Sequence, residues 1–386
     1  MKIQKLFRIA PADPKGLEPF ASWQELSPKF STEKVNDCFL IVAHIDDTDF
    51  EPLTSIFQSK EEAMGAFLTL AIEHGWEEVP AASGIVKALV EKGIAFIDDE
   101  ENIRLTQKGF DLVRELGIEP YVEYVCQACE GRGIPFYIDI EFYREFLQVT
   151  KDRPKAIRDY DQGSVTPETT VTRVLFMDSR GDIRNKDILV LGAEDDLTGL
   201  AVALSRKARS VLVIDIDKRL IDFDNRIFKE LGIDNAEARV WDLRNPFPEE
   251  ILGHYDVFVS DPPETLPAFR AFIGRGIATL KEDGGVGYFG LTLRDSSVFR
   301  WRDFQIALTT EFGVAITDIV QDFNAYITWD YHAETKAAEV APVKRQPKGV
   351  WYRSAWYRIE ALPGFKRWNE PISDDVFYLD EEGSTT

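Results

Sequence analysis

Short apolar runs that alternate with amphipathic segments constrain the fold of this 386-residue chain more than any other feature. The runs are rich in β-branched and aromatic residues, which is typical of strands buried on both faces of a parallel sheet covered by helices. They lie at 188–191, 211–214, 238–240, 255–259 and 286–289, with helical patterns at 197–204 and 220–231. We therefore predict an α/β chain with a Rossmann-like (methyltransferase-like) catalytic domain at 170–386.

The N-terminal part follows a different pattern. Residues 59–149 are interpreted as a smaller winged-helix domain, with a short helix at 84–92, a hairpin turn at 98–102 and a helix that Thr106 could cap. The acidic hairpin tip favours interaction or dimerisation over DNA binding. The sequence predicts a homodimer.

Three further segments complete the predicted organisation. An amphipathic segment at 60–74 would open the winged helix, and a polar stretch at 150–169 would link it to the catalytic domain. Residues 1–58 form an N-terminal extension of uncertain fold, with one strand candidate at 38–45.

The formal net charge of −22 restricts the classes of partner. A surface field of this sign repels phosphate backbones and attracts cations, so nucleic acid is disfavoured and a polycation favoured. The alternative is that the acidity serves only solubility. With no run of eighteen apolar residues and no signal-peptide pattern, we expect a cytoplasmic protein without a membrane partner.

The segment Cys126-Gln-Ala-Cys129-Glu-Gly-Arg-Gly has the spacing of half a zinc site. A metal shared across a dimer, or with Cys38, is one reading; a plain structural turn is favoured, because the histidines show no paired spacing. No metal is predicted.

Acidic residues follow four consecutive strands of the predicted sheet. In such a sheet the ligand lies beyond the carboxyl ends of the strands, so these side chains would line one negatively charged pocket. They are Glu194, Asp195 and Asp196 after the first strand, Asp215 and Asp217 after the second, Asp242 after the third, and Asp261 and Glu264 after the fourth.

Several of these acids suggest individual roles. Asp215 is placed to accept hydrogen bonds from ribose hydroxyls, or to cap a helix. Asp242 could bind an adenine amino group or cap a turn. In Asp261-Pro262-Pro263-Glu264 the two prolines stiffen the backbone and remove two donors, which directs carbonyls and a carboxylate towards an amine; the alternative is a rigid turn.

The turn after the first strand restricts the co-substrate. Gly192 is followed by acids where phosphate-binding and S-adenosylmethionine-binding turns are rich in glycine. Acids there repel a carboxylate and attract an ammonium, since unit charges 4 Å apart interact by roughly 1–4 kcal/mol. A decarboxylated S-adenosyl compound fits this turn better than S-adenosylmethionine.

These motifs resemble those of a known family, the branched-chain polyamine synthases, or N4-bis(aminopropyl)spermidine synthases, of thermophiles. The resemblance runs from about residue 60 to the C-terminus. Its turn departs from the usual Gly-Asp-Asp-Asp. The motifs that carry it are Gly192-Ala-Glu-Asp-Asp-Leu-Thr, Asp215-Ile-Asp, Asp242-Leu-Arg, Asp261-Pro-Pro-Glu-Thr and Gly274-Arg-Gly-Ile-Ala-Thr-Leu.

The resemblance implies an aminopropyltransferase that uses decarboxylated S-adenosylmethionine as co-substrate, with no separate cofactor. The acceptor would be the N4 amine of spermidine, giving N4-aminopropylspermidine, N4-bis(aminopropyl)spermidine and 5'-methylthioadenosine. From the chemistry of the residues themselves, we expect Asp195 to take the amine proton and Asp261 and Glu264 to hold the polyamine. A further hypothesis is that the acidic tail, Asp374-Asp375 and 379–382, folds over the polycation as a lid. The remaining site residues, expected at the co-substrate, are Gly192, Glu194, Asp196, Asp215, Asp217, Asp242, Pro262 and Pro263.

Two other functions are compatible with parts of the sequence. Asp-Pro-Pro also orients amino groups in S-adenosylmethionine-dependent amino methyltransferases. A non-catalytic winged-helix regulator that senses polyamines is the second. The glycine-poor turn and the charge of −22 count against the methyltransferase.

Overall fold

The described residues of the N-terminal third form two small antiparallel sheets. The computed structural model of the chain describes residues 6–11, 30–35, 38–43, 79–118, 124–192, 195–281, 284–292, 296–327, 330–346, 349–372, 377–378 and 380. The first sheet has the order β1-β3-β2, formed by β1 (Leu6–Pro11), β2 (Phe30–Val35) and β3 (Cys38–Ala43). The strand predicted at 38–45 is thereby confirmed.

A helix, a hairpin and a second helix follow. They are α1 (Val79–Glu91), β4 (Ala95–Ile97), β5 (Ile103–Leu105) and α2 (Gln107–Glu115). Thr106 caps α2 by accepting a hydrogen bond from the backbone N–H of Gly109, as predicted. The segment predicted at 60–74 lies outside the described residues, so the winged-helix assignment stays a prediction.

A seven-stranded sheet forms the centre of the C-terminal part. Its strands are β6 (Asp187–Leu191), β7 (Ser210–Asp215), β8 (Ala236–Val240), β9 (Val257–Ser260), β10 (Val286–Leu291), β11 (Val314–Ile327) and β12 (Val350–Ala361). The order across the sheet is β11-β12-β10-β9-β6-β7-β8. Strands β6 to β10 run parallel, whereas β12 is antiparallel to both β10 and β11.

This order confirms the α/β prediction with a mostly parallel central sheet. All five predicted strands are present, and the switch in strand order lies between β6 and β9. In open parallel sheets the ligand crevice lies at this switch, beyond the carboxyl ends of the strands. Strands β11 and β12 were not predicted from the sequence.

Helices cover both faces of the sheet. They are α3 (Ile140–Val149), α4 (Pro167–Ser179), α5 (Thr198–Leu204), α6 (Lys218–Leu231), α7 (Leu266–Phe269), α8 (Arg275–Thr279) and α9 (Val298–Ile306), with π-helical turns at Arg270–Gly274 and Ala307–Phe312. A further short helix, α10 (Lys336–Val340), contacts α1. Among the described helices, none has both the length and the hydropathy needed to cross a bilayer.

Alternating residues of the strands enter two separate hydrophobic cores, except in the edge strand β8, which contributes to one core only. Ile188 and Val190 of β6 pack with helices α3 to α6, whereas Leu189 and Leu191 pack with the segments after β9 and β10. Successive side chains of a strand point to opposite faces, so a strand that is apolar throughout must be covered on both sides. This double cover fixes the sheet and leaves its carboxyl edge open for a site.

The sheet is tightly packed around Phe258 of β9. A Cβ atom added at Gly287 of the neighbouring strand would overlap the Phe258 ring and lie 2.9 Å from Ile359. We expect Gly287→Ala to lower the free energy of unfolding by about 1–3 kcal/mol, because an overpacked core must shift its backbone. Chemical denaturation measures the change.

Gly84→Ala is the matched control. No heavy atom lies within 4 Å of a Cβ at this helical position, and an alanine in a helix gains roughly 0.5–1 kcal/mol over glycine. Equal stability of the two variants would contradict the packing described for Phe258.

Candidate active site

The turn after β6 brings the chain close to the helical segment after β9. Gly192 adopts a φ of +59°, and a Cβ at this position would overlap the ring of Phe272. A glycine is therefore needed for both the backbone conformation and the close approach. The turn then presents Asp195 at the carboxyl edge of the sheet. Glu194 lies outside the described residues.

A two-lobed cleft opens at this edge. The first space, of about 500 Å³ and open to solvent, is the aromatic lobe, and the second, of about 400 Å³, is the acidic lobe. Four residues line both lobes and mark the point where they meet: Asp161, Asp195, Asp261 and Pro263.

The aromatic lobe combines flat apolar walls with carboxylates. Asp215 at the end of β7 lies on its wall, and its Oδ1 accepts a hydrogen bond from the backbone N–H of Asp217 at 2.7 Å. Rings and a short carboxylate suit a planar base attached to a sugar with free hydroxyls. The aromatic residues of this lobe are Tyr160, Trp241, Phe272, Phe377 and Tyr378.

The acidic lobe has carboxylates facing two tyrosines. Glu264 lines this lobe, and its Oε1 accepts the backbone N–H of Thr292 at 2.9 Å. The rings of Tyr326 and Tyr352 stack with centroids 4.5 Å apart. Among the residues that the structure describes, no lysine or arginine lines either lobe. The cleft therefore attracts cations.

Asp195 lies where the lobes meet and has no ion-pair partner within the described part of the chain. Its Oδ2 accepts the backbone N–H of Gly163 at 2.9 Å, and its Oδ1 accepts that of Asp196 at 3.1 Å. Burial raises the pKa of Asp195 well above its usual range, and the nearby carboxylates of Asp196, Asp215 and Asp261 raise it further. A carboxylate with a raised pKa can accept a proton.

A buried arginine holds two of these carboxylates. Arg173 of α4 is completely buried; its Nη1 lies 2.8 Å from Asp196 and its Nη2 lies 2.5 Å from Asp261. Its guanidinium stacks over Trp356 at 4.7 Å, and its Nε donates to Asn324 Oδ1 at 2.8 Å. Burial acts to lower the pKa of Arg173, but the charges of Asp261 and Asp196 raise it above its usual value.

Asp261 is fixed from several sides. Tyr326 donates its hydroxyl hydrogen to Asp261 Oδ2 at 2.8 Å, in addition to the contact with Arg173. A Cβ at Gly290 would overlap Asp261 Oδ1, so β10 approaches the carboxylate closely. Pro262 and Pro263 follow it and line the acidic lobe with Glu264. Asp261 is thus a rigidly held anion.

Three predicted site residues have partners inside the protein instead of facing the cleft. Asp196 is 1% exposed, contacts Arg173 and accepts the backbone N–H of Val165 at 2.6 Å. Asp217 caps α6, and Asp242 accepts the backbone N–H of Arg244 at 2.9 Å. None of the three is among the described residues that line the lobes. A direct contact of any of them with a ligand stays a prediction.

The sequence left open whether Asp215 and Asp242 cap secondary structure, and the structure differs between the two residues. Asp217 is the N-cap of α6, so Asp215 does not cap that helix and its carboxylate lies on the cleft wall. Asp242 Oδ2 lies 2.7 Å from the Arg244 guanidinium, which makes it a turn-capping residue with an ion pair. Its neighbour Trp241 is the residue that lines the aromatic lobe.

Sequence reasoning missed several residues of the site. A single arginine within the apolar stretch of α4 was the available signal for Arg173, since a charge buried in a helix needs a partner. Asn324, Tyr326 and Tyr352 gave no such signal, because they lie on β11 and β12 and only the fold brings them to the cleft.

The described part of the C-terminal tail lies against the aromatic lobe. Phe377 and Tyr378 line it, and Thr265 Oγ1 donates to the Phe377 carbonyl oxygen at 2.6 Å. Arg300 pairs with Asp380 at 2.6 Å. This placement is compatible with the predicted lid; the acids at 374–375 and 381–382 lie outside the described residues.

Comparisons with known proteins identify the family. A family model described as "Branched-chain polyamine synthase A C-terminal domain" matches residues 141–385. The N(4)-bis(aminopropyl)spermidine synthase of Thermococcus kodakarensis is 45% identical over 311 residues, covering 80% of this chain and 88% of that protein. The synthase of the same name from Methanocaldococcus jannaschii is 41% identical over 335 residues, covering 85% of this chain and 95% of that protein.

A solved structure agrees with these relatives. The branched-chain polyamine synthase from Thermus thermophilus, in complex with N4-aminopropylspermidine and 5'-methylthioadenosine, is 34% identical with a TM-score of 0.73. The similarity covers 87% of this chain and 99% of that chain. This chain belongs to the branched-chain polyamine synthase family.

Proposed function

We infer that the protein is an aminopropyltransferase that makes N4-branched polyamines. It transfers the aminopropyl group of decarboxylated S-adenosylmethionine to the N4 amine of spermidine, giving N4-aminopropylspermidine and N4-bis(aminopropyl)spermidine. The names of its relatives and the ligands of the Thermus thermophilus structure support this activity. The single observation that carries it here is the buried carboxylate of Asp195 at the junction of the two lobes.

In this proposal each lobe binds one of the two substrates. The aromatic lobe would receive the adenosine part of the donor, with Asp215 at the ribose hydroxyls. The acidic lobe would receive the polyamine, whose ammonium groups would meet Asp261 and Glu264, and whose alkyl segments would lie along Tyr326 and Tyr352. The shared residues then surround the sulfonium and N4, where charge attraction brings the reactants together.

The first transfer follows from these positions. The N4 lone pair attacks the donor carbon attached to sulfur, the carbon–sulfur bond breaks, and its electron pair stays on sulfur in 5'-methylthioadenosine. N4 becomes positively charged and releases its proton to Asp195, whose raised pKa suits proton acceptance. In the second transfer a neutral tertiary amine attacks, and no proton leaves. Positioning and charge therefore supply most of the catalysis.

The remaining sequence predictions stay part of the proposal. We expect no cofactor other than the co-substrate, a homodimer, and no nucleic-acid partner. Activity after dialysis against a chelator tests metal independence. Light scattering tests the homodimer, and a DNA-binding assay tests the absence of a nucleic-acid partner.

Mass spectrometry of the products and an Asp195→Asn variant test the reaction. The wild-type protein should convert spermidine and decarboxylated S-adenosylmethionine into both branched products. Asp195→Asn should lower kcat by about 10²–10⁴-fold, because an amide cannot accept the N4 proton. Donor binding should persist, as measured by calorimetry.

Asp222→Asn is the control for that substitution. Asp222 is exposed on α6 and pairs with Lys218 away from the cleft. Wild-type turnover in Asp195→Asn would exclude Asp195 as the proton acceptor, and methyl transfer from S-adenosylmethionine without aminopropyl transfer would favour the methyltransferase alternative.

Donor selectivity tests the charge of the cleft. Intact S-adenosylmethionine carries a carboxylate that would approach the acids at the lobe junction, and like charges near 4 Å repel by roughly 1–4 kcal/mol. It should therefore bind at least about fivefold more weakly than the decarboxylated donor in calorimetric titrations. Equal affinities would contradict the role assigned to the acids.

The raised pKa of Asp195 also predicts how stability depends on pH. In the unfolded chain this carboxyl loses its proton near its usual pKa of about 4, whereas the folded protein holds the proton to higher pH. Its contribution to stability is therefore present at low pH and is lost as pH rises above about 4. The melting temperature of Asp195→Asn relative to wild type should increase between pH 4 and pH 8.

Thermal unfolding without substrate, at several pH values, measures this difference. Asp222→Asn should run parallel to wild type over the same range, because its carboxylate is exposed. A difference between Asp195→Asn and wild type that stays constant with pH would show that Asp195 titrates normally.

A further inference from the structure

The turn that contains Cys126 and Cys129 has no part in the transfer reaction described above. Its cysteines carry no metal proposal, since no group of three or more His, Cys, Asp and Glu side chains suited to a metal occurs among the described residues. Arg132 of the same turn, however, is 5% exposed and reaches into the sheet. It precedes the segment that the family model matches.

We propose that Arg132 is a positioning residue for the acidic lobe. It braces an irregular stretch of β11 from which Asn324 and Tyr326 reach the carboxylates of the site. The proposal rests on the proposed function. It assigns the turn that contains Cys126 and Cys129 the role of holding this stretch of β11 in place.

The irregular stretch lies in the middle of β11. Val320 pairs with Trp356 of β12, and the next regular pair is Asn324 with Ser354. Four steps along β11 thus face two steps along β12, and Asp322 between them has a left-handed φ of 54°. Such bulges interrupt the ladder of hydrogen bonds and redirect side chains, so their backbone groups need other partners.

Arg132 supplies one of these partners directly. Its Nε donates to the carbonyl oxygen of Phe323 at 2.7 Å. On the other side of Asn324, the backbone N–H of Ala325 donates to Thr169 Oγ1 at 3.2 Å, and Arg132 Nη2 lies 3.5 Å from the same hydroxyl. The two residues that flank Asn324 are therefore held from outside the sheet.

Glu130 of the same turn provides a second hold. Its carboxylate pairs with Arg132 at 3.1 Å and with Arg353 of β12 at 3.2 Å. Arg353 in turn donates to the carbonyl oxygen of Asp322 at 3.3 Å. The turn therefore contacts both consecutive carbonyl groups of the bulge, one directly and one through Arg353.

The side chains aimed by this bulge contact the residues that hold the site's carboxylates. Asn324 Oδ1 accepts a hydrogen bond from Arg173, and Asn324 Nδ2 donates to Ser354 Oγ at 2.8 Å. Tyr326, two residues further, lies on the same side of the strand and donates to Asp261. A shift of the bulge would therefore move both contacts that orient Asp261.

The burial of Arg132 supports a specific hydrogen-bonding role for its guanidinium. Burial lowers the pKa of this guanidinium, which reflects the cost of removing it from water. An apolar side chain would fill the same space without that cost. An apolar residue could not, however, donate the directional hydrogen bond that Arg132 donates to the carbonyl oxygen of Phe323.

Kinetics of Arg132→Met and Arg132→Lys test the proposal. In Arg132→Met the kcat/KM for spermidine should fall by about 10- to 100-fold, because small displacements of positioned groups cost rate. The KM for decarboxylated S-adenosylmethionine should not change. The acidic limb of the pH–activity profile should move to higher pH. If Arg173 were displaced, it would lower the pKa values of the nearby carboxylates less. Arg132→Lys should be intermediate.

Arg358→Lys is the matched control for Arg132→Lys. Arg358 is a buried arginine of β12 that donates to Thr317 Oγ1 at 2.8 Å, next to another register shift of β11, and pairs with Asp182 at 2.9 Å. Neither of these partners lines the cleft. The control should lose thermal stability and keep both the kcat/KM for spermidine and the acidic limb.

The outcomes separate a positioning role from a structural one. If the Arg132 variants lose stability but keep the kcat/KM for spermidine and the acidic limb, as expected for Arg358→Lys, the proposal is overturned. If Arg132→Met does not fold, Arg132→Lys decides by the same two readouts. If the wild type makes no branched product, the proposed function fails. Calorimetric titration of the variants with spermidine then still tests whether Arg132 positions the acidic lobe.

Discussion

The site depends on one buried arginine, Arg173, which forms ion pairs with both Asp196 and Asp261. A guanidinium removed from water is costly unless its donors are satisfied, and here two carboxylates, Asn324 and the face of Trp356 surround it. Because this single cation serves two carboxylates, Asp195 beside them has no cationic partner within the described part of the chain and is held only by backbone N–H groups. The surplus negative charge at the lobe junction is the physical reason why a sulfonium and a polyamine suit the site.

The sheet and its two antiparallel strands make different contributions. The parallel strands bring Asp195, Asp215 and Asp261 to one edge, which follows from their common direction. Strands β11 and β12 add Tyr326 and Tyr352 on one side of that edge and so create the acidic lobe. In the proposed function, the crevice of the parallel part receives the nucleoside of the donor, and the lobe added by the antiparallel part receives the polyamine.

The sequence predicted the parallel strands and the acidic edge because both follow from local patterns. It did not reveal which acids line the cleft. Asp195 and Asp196 are adjacent, yet one lines the cleft and the other contacts Arg173, a difference set by the backbone of the turn and by a helix more than twenty residues earlier. Asp217 and Asp242 likewise found partners two residues further along the chain. Strands β11 and β12 escaped prediction because their pairing is long-range and interrupted by register shifts.

A cluster of like charges is stable only if each charge is held separately. Repulsion between the carboxylates would open the cleft, and the structure opposes it with fixed donors: the backbone N–H of Gly163 for Asp195, that of Val165 for Asp196, and Tyr326 for Asp261. These donors come from different elements, so no single local movement releases all three. The carboxylates are therefore oriented before the substrates arrive, and the binding of cations relieves the repulsion instead of having to organise the site.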